Sequence, residues 1–347
     1  MSKHEVLVVR IEKILPHPNA DKLEIVPIPG SSWQCVAQKG IYQPGQLVVY
    51  VEPDYIVPTN REEFAWLKKE GDKDEHRVKA MRLRGTLSFG LMIPVSPVGV
   101  YEMDTNVWRE HRPGDNVMHA LGIKRYVIPE DKGVSNNQAA GADNLKDEWP
   151  VAPIWHLENI QKYPAALIPG EPVVVTEKLD GTSARYLHKD GVFYVGTRTR
   201  WLSPDFRDNY WQVAATPEIR AWCAEHEGTI LFGEIIGAIK SAELKYGFER
   251  GVEFRAFKAY APGDRWNAID GLVKAGVKTV PLVYMGPWMP ALILPEAEKD
   301  TRIDRAPHGH MTEGLVIMPE EDRRDPELGK VVVKYISERY WVTKPAK

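Results

Sequence analysis

Through the first hundred residues apolar and polar positions alternate in short runs, with no long stretch at helical spacing between them. Stretches 6–14, 22–28, 33–37, 47–51 and 88–94 are rich in Val, Ile, Leu and aromatic residues. Turn chemistry separates them: Pro16-His17-Pro18-Asn19, Ile28-Pro29-Gly30-Ser31 and Gln43-Pro44-Gly45-Gln46. Many short strands at this spacing predict a small β-barrel. The pattern then breaks. From 128 to 150 the chain turns to Gly, Ala, Asn, Asp and Lys around Gly133-Val134-Ser135-Asn136-Asn137, a composition that reads as a linker.

Beyond 150 strand-like runs return at 173–175, 192–195, 229–232, 253–259, 314–318 and 331–336. Thr216-Pro217-Glu218 opens a helix in which Ile219 and Trp222 share a face before Gly228 ends it. No internal repeat and no heptad pattern is present. The fold class is therefore α+β, a β-barrel domain followed by a domain built on antiparallel sheet.

A chain of 347 residues suits two such cores, and 43% hydrophobic with 27% charged residues is the balance of a globular protein. The uncharged run 280–295 carries four prolines, which argues against a membrane span. No apolar signal region precedes the first strand, and Cys35 and Cys223 are too few for a cysteine zinc site. An intracellular, cytoplasmic protein is expected, with no membrane association and no obligate protein partner. A net charge of −3 means that any nucleic acid must be held by a local patch.

The sharpest local signal is Thr176-Glu177-Lys178-Leu179-Asp180-Gly181-Thr182-Ser183. A lysine leaving a strand, followed by a glycine turn with an aspartate, places an amine beside a carboxylate at a cleft. The amine serves either as a nucleophile, if some of it is neutral, or as one half of an edge-strand ion pair. Neither a Walker A sequence nor Gly-x-Gly-x-x-Gly is present, so P-loop and Rossmann chemistry have no support.

Further motifs follow in order. The Lys-x-Asp-Gly turn resembles motif I of the covalent nucleotidyltransferases, the superfamily of polynucleotide ligases and mRNA capping enzymes. Thr197-Arg198-Thr199 resembles motif Ia, Phe232-Gly233-Glu234 motif III and Phe254-Arg255-Ala256-Phe257 motif IIIa. Thr312-Glu313-Gly314-Leu315 resembles motif IV and Val331-Val332-Val333-Lys334 motif V. The extended form of motif I, with Leu157-Glu158-Asn159-Ile160-Gln161 upstream, is similar to ATP-dependent RNA ligases. The leading β-domain is similar to the OB domain of the Deinococcus and Naegleria type. The resemblance divides the chain into 1–115, an OB-like nucleic-acid-binding domain, 116–150, a linker, and 151–347, the nucleotidyltransferase domain.

The resemblance implies ATP and Mg²⁺ or Mn²⁺ as cofactors, and an RNA substrate, nicked or broken and possibly duplex, in RNA repair. Lys178 is implied as the nucleophile that takes AMP, with Asp180, Glu234, Glu313 and Lys334 completing the catalytic set. Asp180, Glu234 and Glu313 are implied as metal carboxylates. Glu177, Arg185, Arg198, Phe257, Lys330 and Lys334 are implied around the nucleotide, with Arg200 an alternative to Arg198. Phe257 either stacks on adenine or is ordinary core, and Lys330 stands in for a second motif V lysine, where Val332 and Ile336 depart from the family. His308 and His310 read as a solvated loop. Arg82 and Arg84, alternating with Met81 and Leu83, read as a basic sheet face for RNA phosphates. The alternatives are a DNA ligase or capping-type guanylyltransferase, against which only 337–347 follow motif V, and a non-catalytic RNA-binding protein.

Overall fold

The computed structural model describes residues 5–68, 74–95, 100–102, 107–126, 150, 152, 155, 157–204, 208–261, 265–267, 270–325 and 328–343. The composition-biased stretch at 127–149 lies outside them.

The N-terminal domain contains β1 (Leu7–Arg10), β2 (Leu23–Pro27), β3 (Gln34–Gln38), β4 (Leu47–Val51), β5 (Tyr55–Pro58), β6 (Glu75–Arg77), β7 (Ala80–Leu83), β8 (Thr86–Phe89), β9 (Leu91–Pro94) and β10 (Lys124–Arg125). Strand β4 pairs antiparallel with β1 on one side and β9 on the other. Its side chains alternate between two buried clusters. Val49 and Val51 pack with Val8, Val57 and Phe64, while Val48 and Tyr50 pack with Val26, Trp33 and Phe89. The run 88–94, expected as one strand, is two. Gly90 breaks it at φ 88°, where a Cβ would lie 2.2 Å from the Val51 carbonyl oxygen.

Two expectations for this half are corrected. Residues 116–126, read as linker, belong to the domain: β10 pairs with β5, and Val117, Leu121 and Ile123 are buried in its core. Arg82 and Arg84 do not form one basic face. Arg84 (φ 48°) and Gly85 (φ 92°) are the two-residue turn of the β7–β8 hairpin. Arg82 donates to the Gly85 carbonyl and pairs with Glu338 at 3.3 Å.

The second half contains β11 (Glu158–Asn159), β12 (Pro172–Lys178), β13 (Thr182–Lys189), β14 (Val192–Thr197), β15 (Trp201–Leu202), α1 (Asn209–Ala214), α2 (Pro217–Glu225), β16 (Ile230–Gly237), β17 (Val252–Ala261), β18 (Arg265–Asn267), β19 (Leu282–Pro287), β20 (Gly314–Pro319), β21 (Val333–Ile336) and α3 (Glu338–Thr343). They form a five-stranded sheet ordered β11-β21-β20-β12-β19 and a six-stranded sheet ordered β15-β14-β13-β16-β17-β18. The ladders are antiparallel except the short β11–β21 pair. Helix α2 begins at Pro217 as expected and buries Ile219, Trp222 and Cys223 on the outer face of the six-stranded sheet.

A third cluster lies where the inner faces of the two sheets meet. Leu187, Phe232, Ile230, Met318 and Val332 are buried there with Trp155 and Trp201, and Val174, Val316 and Phe257 lean against them. The halves of the chain are joined by Lys162–Glu52 at 3.0 Å, by Ser32 and Trp33 on Gln161, and by Trp341 edge-on to Phe89. A cavity of about 360 Å³ between them, walled by Trp33, Tyr50, Glu52 and Tyr163, shares no residue with the site below. No helix among the described residues is long and apolar enough to cross a membrane.

Candidate active site

Strand β12 ends at Lys178, opposite Gly314 of β20, and the chain then crosses from one sheet to the other. It re-enters as β13, where Thr182 faces Ile235 and Ser183 faces Glu234 of β16. The crossing needs glycine at 181, since a Cβ there would sit 2.1 Å from the Ile235 carbonyl oxygen. The turn thus sets the end of β12 against the middle of β16. Along β12, Val173 and Val175 enter the outer core while Val174 faces the other sheet. By that alternation Thr176 and Lys178 share the inner face.

The Lys178 Nζ donates to Glu313 Oε2 at 2.8 Å, with Glu313 8% exposed and Lys178 21%. Lys334 joins from β21, whose register places it opposite Val316, and Glu234 joins from the other sheet. Burial pushes the Glu234 carboxyl up to about 8; Lys178 and Arg198 pull it down, and Glu313 and Asp180 push it further. Burial, with Lys178 second, brings Lys334 down to about 8. For Lys178 burial acts downward as the largest single influence, yet Glu313 and Glu234 overcome it and hold the amine above its ordinary range. The site therefore keeps Lys178 as an ammonium while straining Glu234 and Lys334 toward their neutral forms.

Asp180 has partners that its motif does not announce. Its Oδ2 accepts the backbone N–H groups of Glu243 (2.7 Å) and Leu244 (2.9 Å), and the Tyr340 hydroxyl bonds the same carboxylate. Its own N–H donates to the Tyr246 hydroxyl at 2.7 Å. Asp180 anchors the turn, and among the described residues no three of His, Cys, Asp and Glu converge as a metal group. Glu313 and Glu234 are the carboxylates whose charges act most strongly on Lys178. Carboxylates grouped around Lys178 suit a hard divalent cation, and a cation there would relieve the strain on Glu234.

The Glu177 side chain departs from expectation. It points to the opposite face of β12, is 1% exposed, and accepts from the Thr301 hydroxyl and the Arg302 N–H. Arg185 is 3% exposed with its guanidinium 4.5 Å over Trp201, and burial lowers it to about 10. Its Nη1 reaches only the Arg198 carbonyl at 3.4 Å, and its Nε has no partner among the described residues. Arg198 is exposed and its charge acts on Glu234, whereas the Arg200 carbonyl closes the turn by accepting from Thr197. Lys330 is paired with Asp322 at 2.5 Å in a short hairpin. Its charge acts on Lys258.

Phe257 faces the cleft because the ladder slips there. Phe232 pairs with Lys258 and Gly233 with Ala256, leaving Phe257 as the extra residue. Phe254, Ala256 and Ala259 all enter the outer core, so 257 and 258 both turn inward. The Phe257 ring lies 5.4 Å from Trp155. Lys258 beside it is 7% exposed, held below its ordinary range by burial, and 3.8 Å from the Met318 sulfur. Sequence reasoning missed Lys258, Trp155, Tyr246 and Tyr340. A bulge shows as irregular apolar parity, but no local pattern links Tyr340 to a turn 160 residues earlier. His310, expected in a solvated loop, stacks on Tyr246 with centroids 5.1 Å apart and accepts its N–H.

Residues 171–336 match the RNA ligase family and residues 6–95 match an OB-fold domain. Among solved structures, an apo lysine-to-alanine variant of a Naegleria gruberi RNA ligase is 25% identical with TM-score 0.71, covering 97% of each chain. A Naegleria gruberi RNA ligase variant with ATP and Mn is 24% identical with TM-score 0.70, covering 97% of this chain and 98% of that one. A third variant with AMP and Mn is 23% identical with TM-score 0.72, covering 97% of each. No curated protein matches by sequence. The chain thus carries an RNA ligase family domain at 171–336 behind an OB-fold domain at 6–95, in a fold like that of the Naegleria gruberi enzyme.

Proposed function

We propose that the protein is an ATP-dependent RNA ligase that joins 3′-hydroxyl and 5′-phosphate ends in RNA repair through a lysine–AMP intermediate on Lys178. The cluster of Lys178, Glu313, Glu234 and Lys334 carries the reading, since it sets one amine among the charges that phosphoryl transfer requires. The similar Naegleria structures solved with ATP and Mn support ATP and a divalent metal as its cofactors. The division of labour extends 1–115 to about 1–126 for the RNA-holding domain, leaving 151–347 as the transferase.

In the first step the Lys178 Nζ bonds to the α-phosphorus of ATP as the bond to pyrophosphate breaks. The amine must first lose its proton, and Glu313 Oε2 at 2.8 Å is placed to take it. Lys334, close enough to Lys178 for that charge to lower its own, neutralises the phosphate oxygens. A divalent cation held by Glu234 and Glu313 would supply further positive charge at the phosphate. Arg198 at the rim and the unpaired Nε of Arg185 suit ribose or phosphate oxygens, and Phe257 offers a ring face to the base. AMP then passes to the RNA 5′-phosphate, and the 3′-hydroxyl displaces it.

Incubation with α-labelled ATP or GTP, Mg²⁺ or Mn²⁺ and no nucleic acid, followed by a denaturing gel, tests this reading. Label from ATP alone, lost in Lys178→Ala, is expected. Label from GTP would favour capping chemistry, and no label would leave an RNA-binding protein.

A further inference from the structure

We propose that Tyr340 is a positioning residue for adenylylation, fixing the Lys178 turn through Asp180, and that helix α3 ties this contact to the N-terminal domain. The inference rests on Lys178 as the acceptor of AMP.

Four groups clamp Asp180. The Tyr340 hydroxyl and the Glu243 and Leu244 N–H groups hold its carboxylate, and the Tyr246 hydroxyl takes its N–H. Both tyrosines are buried, at 2% and 0% exposure, in one cluster with Leu179, the residue between Lys178 and Asp180. Tyr246 sits at φ 50°, a left-handed backbone that a bulky residue adopts only when its surroundings impose it. Its ring stacks on His310, which also accepts its N–H. So many constraints on one carboxylate, whose charge acts on both Lys178 and Glu234, indicate that the position of the turn is what they serve.

Helix α3 carries Tyr340 and is fixed at three further points. The Ser337 N–H, just before it, donates to the Glu313 carbonyl at 3.0 Å, so the helix also holds the partner of Lys178. The next residue after Tyr340, Trp341, packs edge-on against Phe89 of the N-terminal domain, with centroids 5.9 Å apart at 81°. Glu338 pairs with Arg82 of the same domain at 3.3 Å. One helix turn thus touches the motif I turn, the motif IV glutamate and the N-terminal domain.

Tyr340→Phe removes one oxygen and keeps the packing, and Trp341→Ala removes the seat on Phe89. In the full chain, single-turnover adduct formation from ATP and Mn²⁺ is measured against ATP concentration, with melting temperature alongside. Tyr340→Phe is expected to lower the maximal rate about tenfold or more, with the ATP concentration for half-maximal rate within about twofold of wild type. Trp341→Ala is expected to lower the maximal rate about threefold or more by the same route, and less than additively with Tyr340→Phe. A Tyr340→Phe rate within twofold of wild type overturns the positioning role. A normal rate for Trp341→Ala overturns the tie to the N-terminal domain. A wild-type chain that forms no adduct overturns the ligase reading itself.

Discussion

Glu234 and Lys334 each carry a charge that the folded protein disfavours, and ligand binding is where that strain is relieved. A carboxyl raised to about 8 binds its proton more tightly folded than unfolded. Its effect on stability is therefore a loss that grows as pH rises from the ordinary carboxylate range to about 8. Glu234→Gln should melt at a higher temperature than wild type at pH 8.5, the gap closing toward pH 5, while adduct formation falls about 10²-fold or more. Glu313→Gln should lose activity comparably, and equal metal titration curves for either variant and wild type would contradict their role. Because Glu313 and Glu234 hold Lys178 above its ordinary range, adduct formation should rise with pH from neutral into the alkaline range, as single-turnover rates can show. Lys178, Glu234 and Glu313 were legible as candidates because each lies inside a short motif. The outward direction of Glu177 and the partners of Asp180 were not, because they depend on strand parity and on groups such as Leu244 and Tyr340, far away in the chain.

At the scale of elements, close approaches of backbone between strands decide where the motifs sit. Gly233 of β16 is one: a Cβ there would fall 2.3 Å from the Phe254 ring and 2.5 Å from the Arg255 carbonyl oxygen. Gly233→Ala should therefore destabilise the fold by about 1–3 kcal/mol, seen as a lower melting temperature, and displace the neighbouring Glu234. Wild-type melting would contradict it. Most strands and helix α2 were legible from apolar pattern and turn residues, β4 to the residue. What escaped were features of single positions. Gly90 splits a run that reads as continuous, Arg84 takes a left-handed turn, and the slip at Phe257 turns a strand residue into the cleft. Each is imposed by the neighbouring strand, so the local sequence carries little trace of it.

The whole molecule is less divisible than its motif order suggests. A truncation beginning at Val151 keeps every motif, yet removes Glu52 from Lys162 and Phe89 from Trp341. It should form less adduct than the full chain and join RNA more poorly still, with adduct yield and ligated product compared in one preparation. Equal joining would mean that the N-terminal domain does not hold the substrate.

Two half-buried lysines, Lys178 and Lys334, lie close to Glu313, and Lys334, brought down to about 8, is on charge alone the readier nucleophile. The position of Lys178 on the glycine turn beside Glu313 and Glu234 is the reason for preferring it. Tandem mass spectrometry of the chain after reaction with ATP and Mn²⁺ separates them directly. AMP is expected on the peptide containing Lys178 and on no other; AMP on Lys334, or an unmodified chain, would contradict the assignment of Lys178 as nucleophile.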